Sequence, residues 1–238
     1  METSQLTLPQ LAAMIDYAYL KSQGLPRTLE QHCAEAAACG FAMVAIHPCD
    51  IERCLQLLSG TPVHVGAVVG FPLGFNTLAV KEYETKDAIQ RGAHEIDMMI
   101  NLRLLLDGDV RALDQEITSI VDICRSHQVV SKIILETCYL TDEQKRLVCR
   151  IALDAGANYV KTSTGFAPSG ARAKDIRLMR AVVGERMGVK AAGGIRSLRD
   201  ALEMIAAGAN RLGTSHGVSI YTELKQRILA LTEPQPAD

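Results

Sequence analysis

The chain alternates short apolar runs with longer segments in which apolar residues recur every three to four positions. Short apolar runs bounded by glycine or polar residues predict buried strands, whereas a 3.6-residue period predicts amphipathic helices. Eight apolar runs occur, each separated from the next by a helical segment. The predicted strands span residues 14–20, 42–47, 63–70, 95–100, 132–137, 158–163, 187–192 and 209–214.

The helical segments carry recognisable starts and apolar faces. Thr28 with Gln31, and Thr141 with Gln144, have the spacing of a capping box, and Ser197 stands where it can cap the helix that follows. Each predicted apolar stripe is one face of a helix. The two clearest stripes are Leu147, Val148, Ile151, Ala152 and Ala155, and Val110, Leu113, Ile117, Ile120, Val121 and Cys124.

A weak internal repeat marks four points where a helix gives way to a strand. A glycine stands at each point, where a left-handed residue can end the helix. These glycines are Gly40, Gly92, Gly156 and Gly208. The punctuation supports an α/β fold in general and a barrel only modestly, because many parallel sheets share it.

Eight strand-helix units in 238 residues favour a single (β/α)8 barrel, an α/β fold, over residues 1–238. We predict a short helix before the first strand and a flexible tail from about residue 233. A doubly wound sheet is the alternative, but no Gly-x-Gly-x-x-Gly motif follows the first predicted strand.

Composition narrows the class of protein. A hydrophobic fraction of 48% supports a sizeable core, and a net charge of −2 gives no electrostatic basis for binding nucleic acid or an anionic membrane. The seven cysteines are an odd number without the spacing of a disulfide framework or a zinc site. No signal-like N-terminus and no apolar run of about 18 residues is present. We therefore expect a cytoplasmic protein.

Two lysines stand at the ends of apolar runs and are followed by small residues and glycine. They are Lys161, before Thr-Ser-Thr-Gly, and Lys190, before Ala-Ala-Gly-Gly. A buried ammonium either pairs with a carboxylate or loses its proton. Two close lysines lower each other's pKa, and an amine with a pKa of about 7–8 is a usable nucleophile toward a carbonyl. The pair predicts Schiff-base chemistry, with surface or salt-bridged lysines as the alternative.

Further polar residues fall on the predicted strands 4 and 5. Asp97 lies between two apolar residues, Lys132 stands near the start of strand 5, and Glu136 lies at its end. A carboxylate inside a strand requires a partner, and a salt bridge to one of the lysines satisfies it. The functional alternative is that Asp97 also relays protons at the imine.

Glycines cluster in the loops after the last three predicted strands. Gly165 follows Lys161, Gly193 and Gly194 follow Lys190, and the segment 213–217 precedes the last helix. Glycines let backbone N–H groups approach an anion, and the loops after strands 7 and 8 are the usual phosphate site of such barrels. The pattern predicts a phosphate-ester ligand.

The histidines give weaker signals. No His, Asp and Glu grouping has the spacing of a metal site. His47 ends the second predicted strand and could face the pocket. We expect His32, His64 and His127 to lie at the surface or at the edge of the core.

The chain resembles the deoxyribose-phosphate aldolase family over nearly its whole length. The similar segments span residues 68–74, 95–98, 132–137, 160–166 and 189–196. The resemblance implies a (β/α)8 barrel with no metal or other cofactor. It also implies a class I aldolase, a lyase that cleaves 2-deoxy-D-ribose 5-phosphate reversibly to acetaldehyde and D-glyceraldehyde 3-phosphate. The expected partners are the phosphorylated sugar and the aldehyde, within a homo-oligomer, either a dimer or a tetramer.

The resemblance also implies roles for individual residues. Lys161 matches the Schiff-base lysine, Lys190 the second lysine that perturbs its pKa, and Asp97 the acid/base carboxylate. The supporting network would comprise Lys132, Asp16 and Thr164. The phosphate-contacting positions would be Gly165, Gly193, Gly194, Arg196, Gly213, Ser215 and His216.

The chain departs from the family pattern on the first two strands. Tyr17 and Ala18 stand where many relatives carry His and Thr, and Ala45 and His47 stand in place of Cys and Asn. We expect Tyr17 and His47 to reshape the part of the pocket that reads the sugar hydroxyls. Two alternatives follow: a related Schiff-base aldolase for another phosphorylated sugar or aldehyde, and a sugar-phosphate-binding barrel without turnover.

A third departure lies after the last strand. His216 replaces the second of two serines in the family pattern, next to Ser215. A protonated imidazole has two N–H donors and a positive charge. We therefore predict that His216 makes phosphate binding depend on pH. The alternative is that His216 turns outward and caps the last helix.

Overall fold

A computed structural model describes residues 6–23 and 27–232, and these residues form a closed barrel of eight parallel strands. The strands are β1 Ile15–Tyr19, β2 Met43–Ile46, β3 His64–Val69, β4 Glu95–Met99, β5 Val130–Ile134, β6 Tyr159–Lys161, β7 Gly188–Ala192 and β8 Arg211–Thr214. Each strand pairs with the next one along the chain, and β1 pairs with β8 to close the barrel. The predicted (β/α)8 fold is confirmed, and the doubly wound alternative is wrong. The predicted tail from residue 233 lies outside the described residues.

Helices follow the strands around the outside of the barrel. They are α1 Leu8–Ala12, α2 Leu29–Cys39, α3 Ile51–Leu57, α4 Leu78–Gln90, α5 Leu102–Leu106, α6 Val110–Ser126, α7 Asp142–Ala155, α8 Ala173–Val183, α9 Leu198–Ala206 and α10 Gly217–Thr232. Short 3₁₀ turns occupy Pro48–Asp50 and Thr137–Tyr139. Within the described ranges, none of the helices has the length and apolar character needed to cross a membrane.

Local sequence signals explain where the helices begin and end. Thr28 and Thr141 form the predicted capping boxes, and Ser197 caps α9 in a box completed by Asp200. All four glycines of the internal repeat have positive φ angles, as a left-handed helix end requires. One residue of the predicted stripes is misplaced: Val110, the first residue of α6, is 38% exposed because it lies at the helix end.

The barrel interior holds a small apolar cluster that is separate from the main core. It contains Leu20, Met43, Ala45 and Val68. Gly66 makes this packing possible, because a Cβ atom there would lie only 2.1 Å from Sδ of Met43. The other apolar residues pack mainly between the strands and the surrounding helices.

Strand β5 runs two to three residues earlier than predicted. It spans 130–134 rather than 132–137, so Lys132 is its central residue and not near its start. Glu136 lies beyond the strand in a left-handed conformation with φ of 54°. This left-handed backbone departs from the extended conformation of a strand, so β5 does not continue through residue 137. The Glu136 side chain accepts from the backbone N–H of Thr164.

Candidate active site

The two lysines singled out from the sequence lie side by side inside the barrel. Lys161 ends β6 and is directly paired with Lys190 on β7, while Asp97 on β4 is paired with Lys132 on β5. The Nζ atoms of Lys161 and Lys190 lie 2.8 and 2.7 Å from the same oxygen, Oδ2 of Asp97. The other oxygen, Oδ1, accepts from Nζ of Lys132 at 2.8 Å. Asp97 is therefore held by three ammonium groups.

A second layer of charged residues continues below this carboxylate toward the amino-terminal ends of the strands. Asp16 contacts Lys190 through Oδ2 and Arg211 through Oδ1, each at 2.5 Å. Glu95 contacts Lys132 through Oε2 at 2.5 Å and Arg211 through Oε1 at 2.7 Å. The structure thus joins both layers into one buried charged cluster.

Two members of this cluster, Glu95 and Arg211, were not identified as site residues from the sequence. Glu95 could have been found by parity, because it precedes Asp97 by two residues and alternate strand residues face the same side. Arg211 opens the last strand, and no nearby motif marked it. Its contacts depend on closure of the barrel, which joins β8 to β1.

The charged cluster contains one more basic group than acidic groups. Its members are Asp16, Glu95 and Asp97 with Lys132, Lys161, Lys190 and Arg211. A buried excess charge is unfavourable, so the electrostatics favour one neutral base. Among the described residues, Lys161 forms an ion pair with one carboxylate, whereas each other base does so with at least two. Lys161 is therefore the base that loses its proton most readily.

The pKa directions agree with this geometry. Burial lowers the pKa of Lys161 to about 8, with Lys190 and Lys132 acting in the same direction and Asp97 opposing them. Burial also acts to lower the pKa of Lys132, but Asp97, Glu95 and Asp16 outweigh it and hold that pKa above its ordinary value. Despite burial, the three lysines keep the pKa of Asp97 well below its usual range. Before substrate binds, the site therefore pairs an ionised carboxylate with an amine that is partly neutral near neutral pH.

A cavity of about 230 Å³ opens above the lysines at the carboxyl-terminal ends of the strands. Lys161 and Lys190 line it together with Ala18 and Ala45. It is also lined by every residue predicted to contact phosphate: Gly165, Gly193, Gly194, Arg196, Gly213, Ser215 and His216. Asp97, Asp16 and Lys132 are not part of the lining and lie behind it in the barrel interior.

The loops around this cavity suit an anion. Gly193 and Gly194 have φ angles of 84° and 83°, and successive backbone N–H groups around left-handed residues form anion-binding concavities. Ser215 and His216 directly precede the 16-residue helix α10, so a helix N-terminus borders the cavity. At Gly213, a Cβ atom would lie 3.1 Å from Cε of Lys190, so the missing side chain leaves room for that lysine.

Two aromatic rings, each with a lysine side chain nearby, lie beside the cavity. They were not predicted from the sequence. The rings of Phe71 and Phe166 meet edge to face at 5.4 Å, and Nζ of Lys161 lies 5.9 Å from the Phe71 ring centroid. Nζ of Lys21 lies 4.6 Å from the Phe166 ring centroid, and Lys21 also lines the cavity. Lys21 and Arg196 thus add two basic side chains to the cavity lining, besides Lys161 and Lys190.

Thr164, in the loop after β6, binds Glu136, the left-handed residue that follows β5. Both carboxylate oxygens of Glu136 accept from the Thr164 backbone N–H at 3.2 Å, and the Thr164 hydroxyl also donates to Glu136. The Thr164 hydroxyl oxygen in turn accepts from the N–H of Phe166 at 3.1 Å. Burial raises the pKa of Glu136. These contacts fix the segment that carries Gly165 to the cavity wall.

Two expectations about the sugar-facing side are wrong. Tyr17 is fully buried outside the barrel, where its hydroxyl donates to Glu35 at 2.6 Å and its ring stacks on His32 at 3.8 Å. Alternation along β1 explains this, because the neighbouring Asp16 and Ala18 face inward. His47 does not line the cavity; its Nε2 lies 3.1 Å from the carbonyl oxygen of Leu20.

Of the three histidines predicted to lie at the surface or the edge of the core, one does not. His32 is completely buried between β1 and α2, not at the surface or the edge of the core. Burial lowers the pKa of His32 to about 3, so it is a neutral packing partner of Tyr17. His64 and His127 are exposed, as expected.

The fold and the site together are those of a barrel aldolase. A family model described as DeoC/LacD family aldolase matches residues 15–223. The chain belongs to this family, and the enzyme class predicted from the resemblance, a lyase, is confirmed.

Individual relatives are similar to this chain over almost its full length. The chain is 53% identical to the deoxyribose-phosphate aldolase of Bacteroides thetaiotaomicron, covering 94% of this chain and 95% of that one. It is 48% identical to the deoxyribose-phosphate aldolase of Caldanaerobacter subterraneus subsp. tengcongensis, covering 93% and 96%. Among solved structures, the tetrameric deoxyribose phosphate aldolase from Aeropyrum pernix superposes with a TM-score of 0.87 at 31% identity, covering 94% and 95%.

Proposed function

We propose that this enzyme is a class I aldolase that cleaves 2-deoxy-D-ribose 5-phosphate reversibly to acetaldehyde and D-glyceraldehyde 3-phosphate. The observation that carries the proposal is the environment of Lys161, an amine with a pKa lowered to about 8 that lines a glycine-bordered cavity. The choice of substrate is supported by the relatives named deoxyribose-phosphate aldolase at 53% and 48% identity.

The reaction begins at Lys161. Its neutral amine adds to the aldehyde carbon of the open-chain sugar, and loss of water gives an iminium. The bond between C2 and C3 then breaks: its electron pair moves toward the iminium nitrogen, which forms an enamine, while the C3 hydroxyl loses its proton. Glyceraldehyde 3-phosphate leaves, C2 of the enamine takes up a proton, and water releases acetaldehyde and regenerates the amine.

Asp97 and Lys190 assist these reaction steps electrostatically, and Asp97 also transfers protons. Oδ2 of Asp97 lies 2.8 Å from Nζ of Lys161 and stabilises the cationic iminium at that atom. Asp97 takes the proton of the C3 hydroxyl through a bridging water. Asp97 and this water then return the proton to C2 of the enamine. Lys190 favours the neutral amine by its charge.

The cavity holds the other end of the substrate. Backbone N–H groups at Gly165, Gly193 and Gly194 would bind the 5-phosphate together with the N-terminus of α10. Arg196, Ser215 and His216 supply side-chain donors there. The phosphate would thereby fix the distance between its own site and Lys161.

Location and assembly complete the proposal. We expect a cytoplasmic homo-oligomer, a dimer or a tetramer. The structural neighbour from Aeropyrum pernix is a tetramer, which supports assembly. Light scattering after size exclusion would give the mass in solution, to be compared with a 25.8 kDa chain.

A related aldolase with another phosphorylated substrate is the second candidate. Ala18 and Ala45 favour it, because both departures from the family pattern line the cavity. A barrel that binds sugar phosphate without turnover is less well supported. It would not require a buried amine with a lowered pKa against Asp97.

A retro-aldol assay over a panel of sugars distinguishes these three candidate functions. We would compare kcat/KM for 2-deoxyribose 5-phosphate, ribose 5-phosphate and unphosphorylated 2-deoxyribose, with Lys161→Met as the inactive control. The highest value should belong to 2-deoxyribose 5-phosphate. A higher value for another phosphorylated sugar would select the second candidate, and binding without turnover of any sugar would select the non-catalytic barrel.

A further inference from the structure

The charged cluster extends from the substrate cavity to the opposite end of the barrel. Lys161 is the last residue of β6, at the cavity, whereas Glu95 and Arg211 are the first residues of β4 and β8. A barrel interior is ordinarily filled by apolar side chains. Ionised groups on both sides of Asp97 therefore require an explanation beyond packing.

Continuous short contacts connect the two ends. Oε2 of Glu95 lies 2.5 Å from Nζ of Lys132, which lies 2.8 Å from Oδ1 of Asp97, whose Oδ2 lies 2.8 Å from Nζ of Lys161. Arg211 joins the same path by contacting Glu95 at 2.7 Å and Asp16 at 2.5 Å. Glu95 is 2% exposed in its side chain and Arg211 is 12% exposed, so water screens these charges weakly.

We propose that Glu95 and Arg211 are positioning residues that set the charge of the Lys161 amine from the end of the barrel opposite the substrate. The inference rests on the proposed function of Lys161. Neither residue lines the cavity, so neither touches the substrate, and each acts through Lys132, Asp16 and Asp97.

The charges of Glu95 and Arg211 determine the direction in which each shifts the protonation of Lys161. Glu95 is a carboxylate whose pKa is held below its ordinary value, against its burial, by Lys132, His64 and Arg211. Its negative charge favours the protonated form of every nearby lysine, and it also occupies Lys132 and so leaves Asp97 freer to attract Lys161. Arg211 is a permanent cation whose charge opposes protonation of the same lysines.

Other titratable groups surround the pair and share its field. His64 on β3 lies 2.9 Å from Glu95 through Nδ1, and its ring stacks on His94, which precedes β4. The Arg211 guanidinium lies 5.6 Å from the Tyr159 ring centroid on β6. The remaining neighbours are Asp16 on β1, Asp97 on β4, Lys132 on β5 and Lys190 on β7.

Two neutral substitutions of opposite charge change test the proposal. Glu95→Gln removes a negative charge and should move the pH at which Lys161 becomes reactive down by about 0.5–1 unit. Arg211→Gln removes a positive charge and should move it up by a similar amount. The double variant restores the charge count and should lie close to the wild-type value.

The measurement is the rate at which acetaldehyde is trapped on the Lys161 peptide by cyanoborohydride, followed by mass spectrometry from about pH 6 to 10. Comparison of variants at each pH cancels the pH dependence of the reagent. Lys145→Met is the matched control, because it breaks a buried ion pair with Asp175 between helices, away from the cavity. It should leave the midpoint unchanged.

The outcomes separate the inference from the function on which it rests. Shifts of opposite sign support it, and unchanged midpoints, or equal shifts in both variants, overturn it. If Glu95→Gln does not fold, Arg211→Gln alone decides by the direction of its shift. If wild-type Lys161 is not trapped at all, the proposed function fails, and the positioning role fails with it.

Discussion

Lys161 and Lys190 share one oxygen: both Nζ atoms contact Oδ2 of Asp97, at 2.8 and 2.7 Å. Lys190 also contacts Asp16 at 2.5 Å, whereas Lys161 has Asp97 as its carboxylate partner among the described residues. The two lysines are paired in register on neighbouring strands but differ in their counter-ions. This asymmetry supports the proposal that Lys161 is the nucleophile and that Lys190 acts on it electrostatically.

Substitution of Lys190 by leucine should remove most of the activity at neutral pH. Loss of the neighbouring cation raises the pKa of Lys161 from its value of about 8, and each unit of increase lowers the neutral fraction about tenfold. We expect kcat/KM to fall by about 10- to 100-fold near pH 7 and the optimum to move to higher pH. A pH–rate profile from about 6 to 10 checks both.

The matched control is Lys174→Leu, which removes an exposed lysine paired with Asp142. Its profile should coincide with that of the wild type. An equal loss of activity at every pH in Lys190→Leu, with no displacement of the optimum, would mean that Lys190 has a different role.

The buried ammonium of Lys161 should also lower the free energy of unfolding. The pKa of Lys161 is about 8 in the folded protein and 10.5 when unperturbed, so below pH 8 the folded state holds a proton that burial disfavours. Between pH 8 and 10.5 the unfolded state binds more protons, and the free energy of unfolding rises with pH. Lys161→Met should therefore be more stable than the wild type near pH 7, by up to about 3 kcal/mol, and this advantage should shrink above pH 8.

Denaturant unfolding of both proteins at several pH values measures this difference. Lys132→Met serves as the contrast, because Lys132 is held by Asp97 and Glu95 and its pKa is raised. That variant should be less stable than the wild type. A Lys161→Met protein that is less stable at pH 7 would show that the ammonium is held favourably.

Much of this site was predictable because its residues end or line strands. Lys161, Lys190 and Asp97 lie in short apolar runs, and the closed barrel brings them within hydrogen-bonding distance. Strand parity places Asp16 and Ala18 inside and Tyr17 outside, so parity could have prevented the misplacement of Tyr17.

The remainder depends on contacts between segments that are distant in sequence. Arg211 meets Asp16 only because β8 closes onto β1, and no local pattern encodes that contact. Glu136, two residues after β5, is left-handed and binds Thr164 in another loop. Local propensity cannot reveal either effect, since both belong to tertiary structure.

Replacement of His216 by serine tests the phosphate side of the cavity. His216 lines the cavity, and its Nδ1 lies 3.3 Å from the Ser215 hydroxyl oxygen. A protonated imidazole offers phosphate a positive charge and one more N–H donor than a neutral one, so a contribution of His216 should make KM for a phosphorylated substrate fall as the pH decreases. His216→Ser should lose this component, and an unphosphorylated substrate should show it in neither protein.

The same series distinguishes the alternative in which the histidine caps α10 from solvent. In that case the two proteins would have the same pH dependence for the phosphorylated substrate. Binding that weakens in His216→Ser by one constant factor at all pH values would indicate a neutral donor and not a charge effect.

Chelation should leave the activity unchanged. The carboxylates of Asp16, Glu95 and Asp97 are already bound by lysine and arginine cations, which repel a divalent ion. No grouping of potential metal ligands occurs within the described ranges. We expect the same rate before and after EDTA treatment and gel filtration. A strong loss restored by one divalent ion would assign the reaction to a metal-dependent mechanism.

The most direct test of Lys161 as the Schiff-base nucleophile is reductive trapping of the covalent intermediate. Borohydride added with acetaldehyde or 2-deoxyribose 5-phosphate should leave a stable secondary amine on the peptide that contains Lys161, with loss of activity in proportion to labelling. Lys161→Met should remain unlabelled, although it retains Lys190. An adduct on Lys190, or no adduct in an active enzyme, would contradict the assignment of Lys161 as the Schiff-base nucleophile.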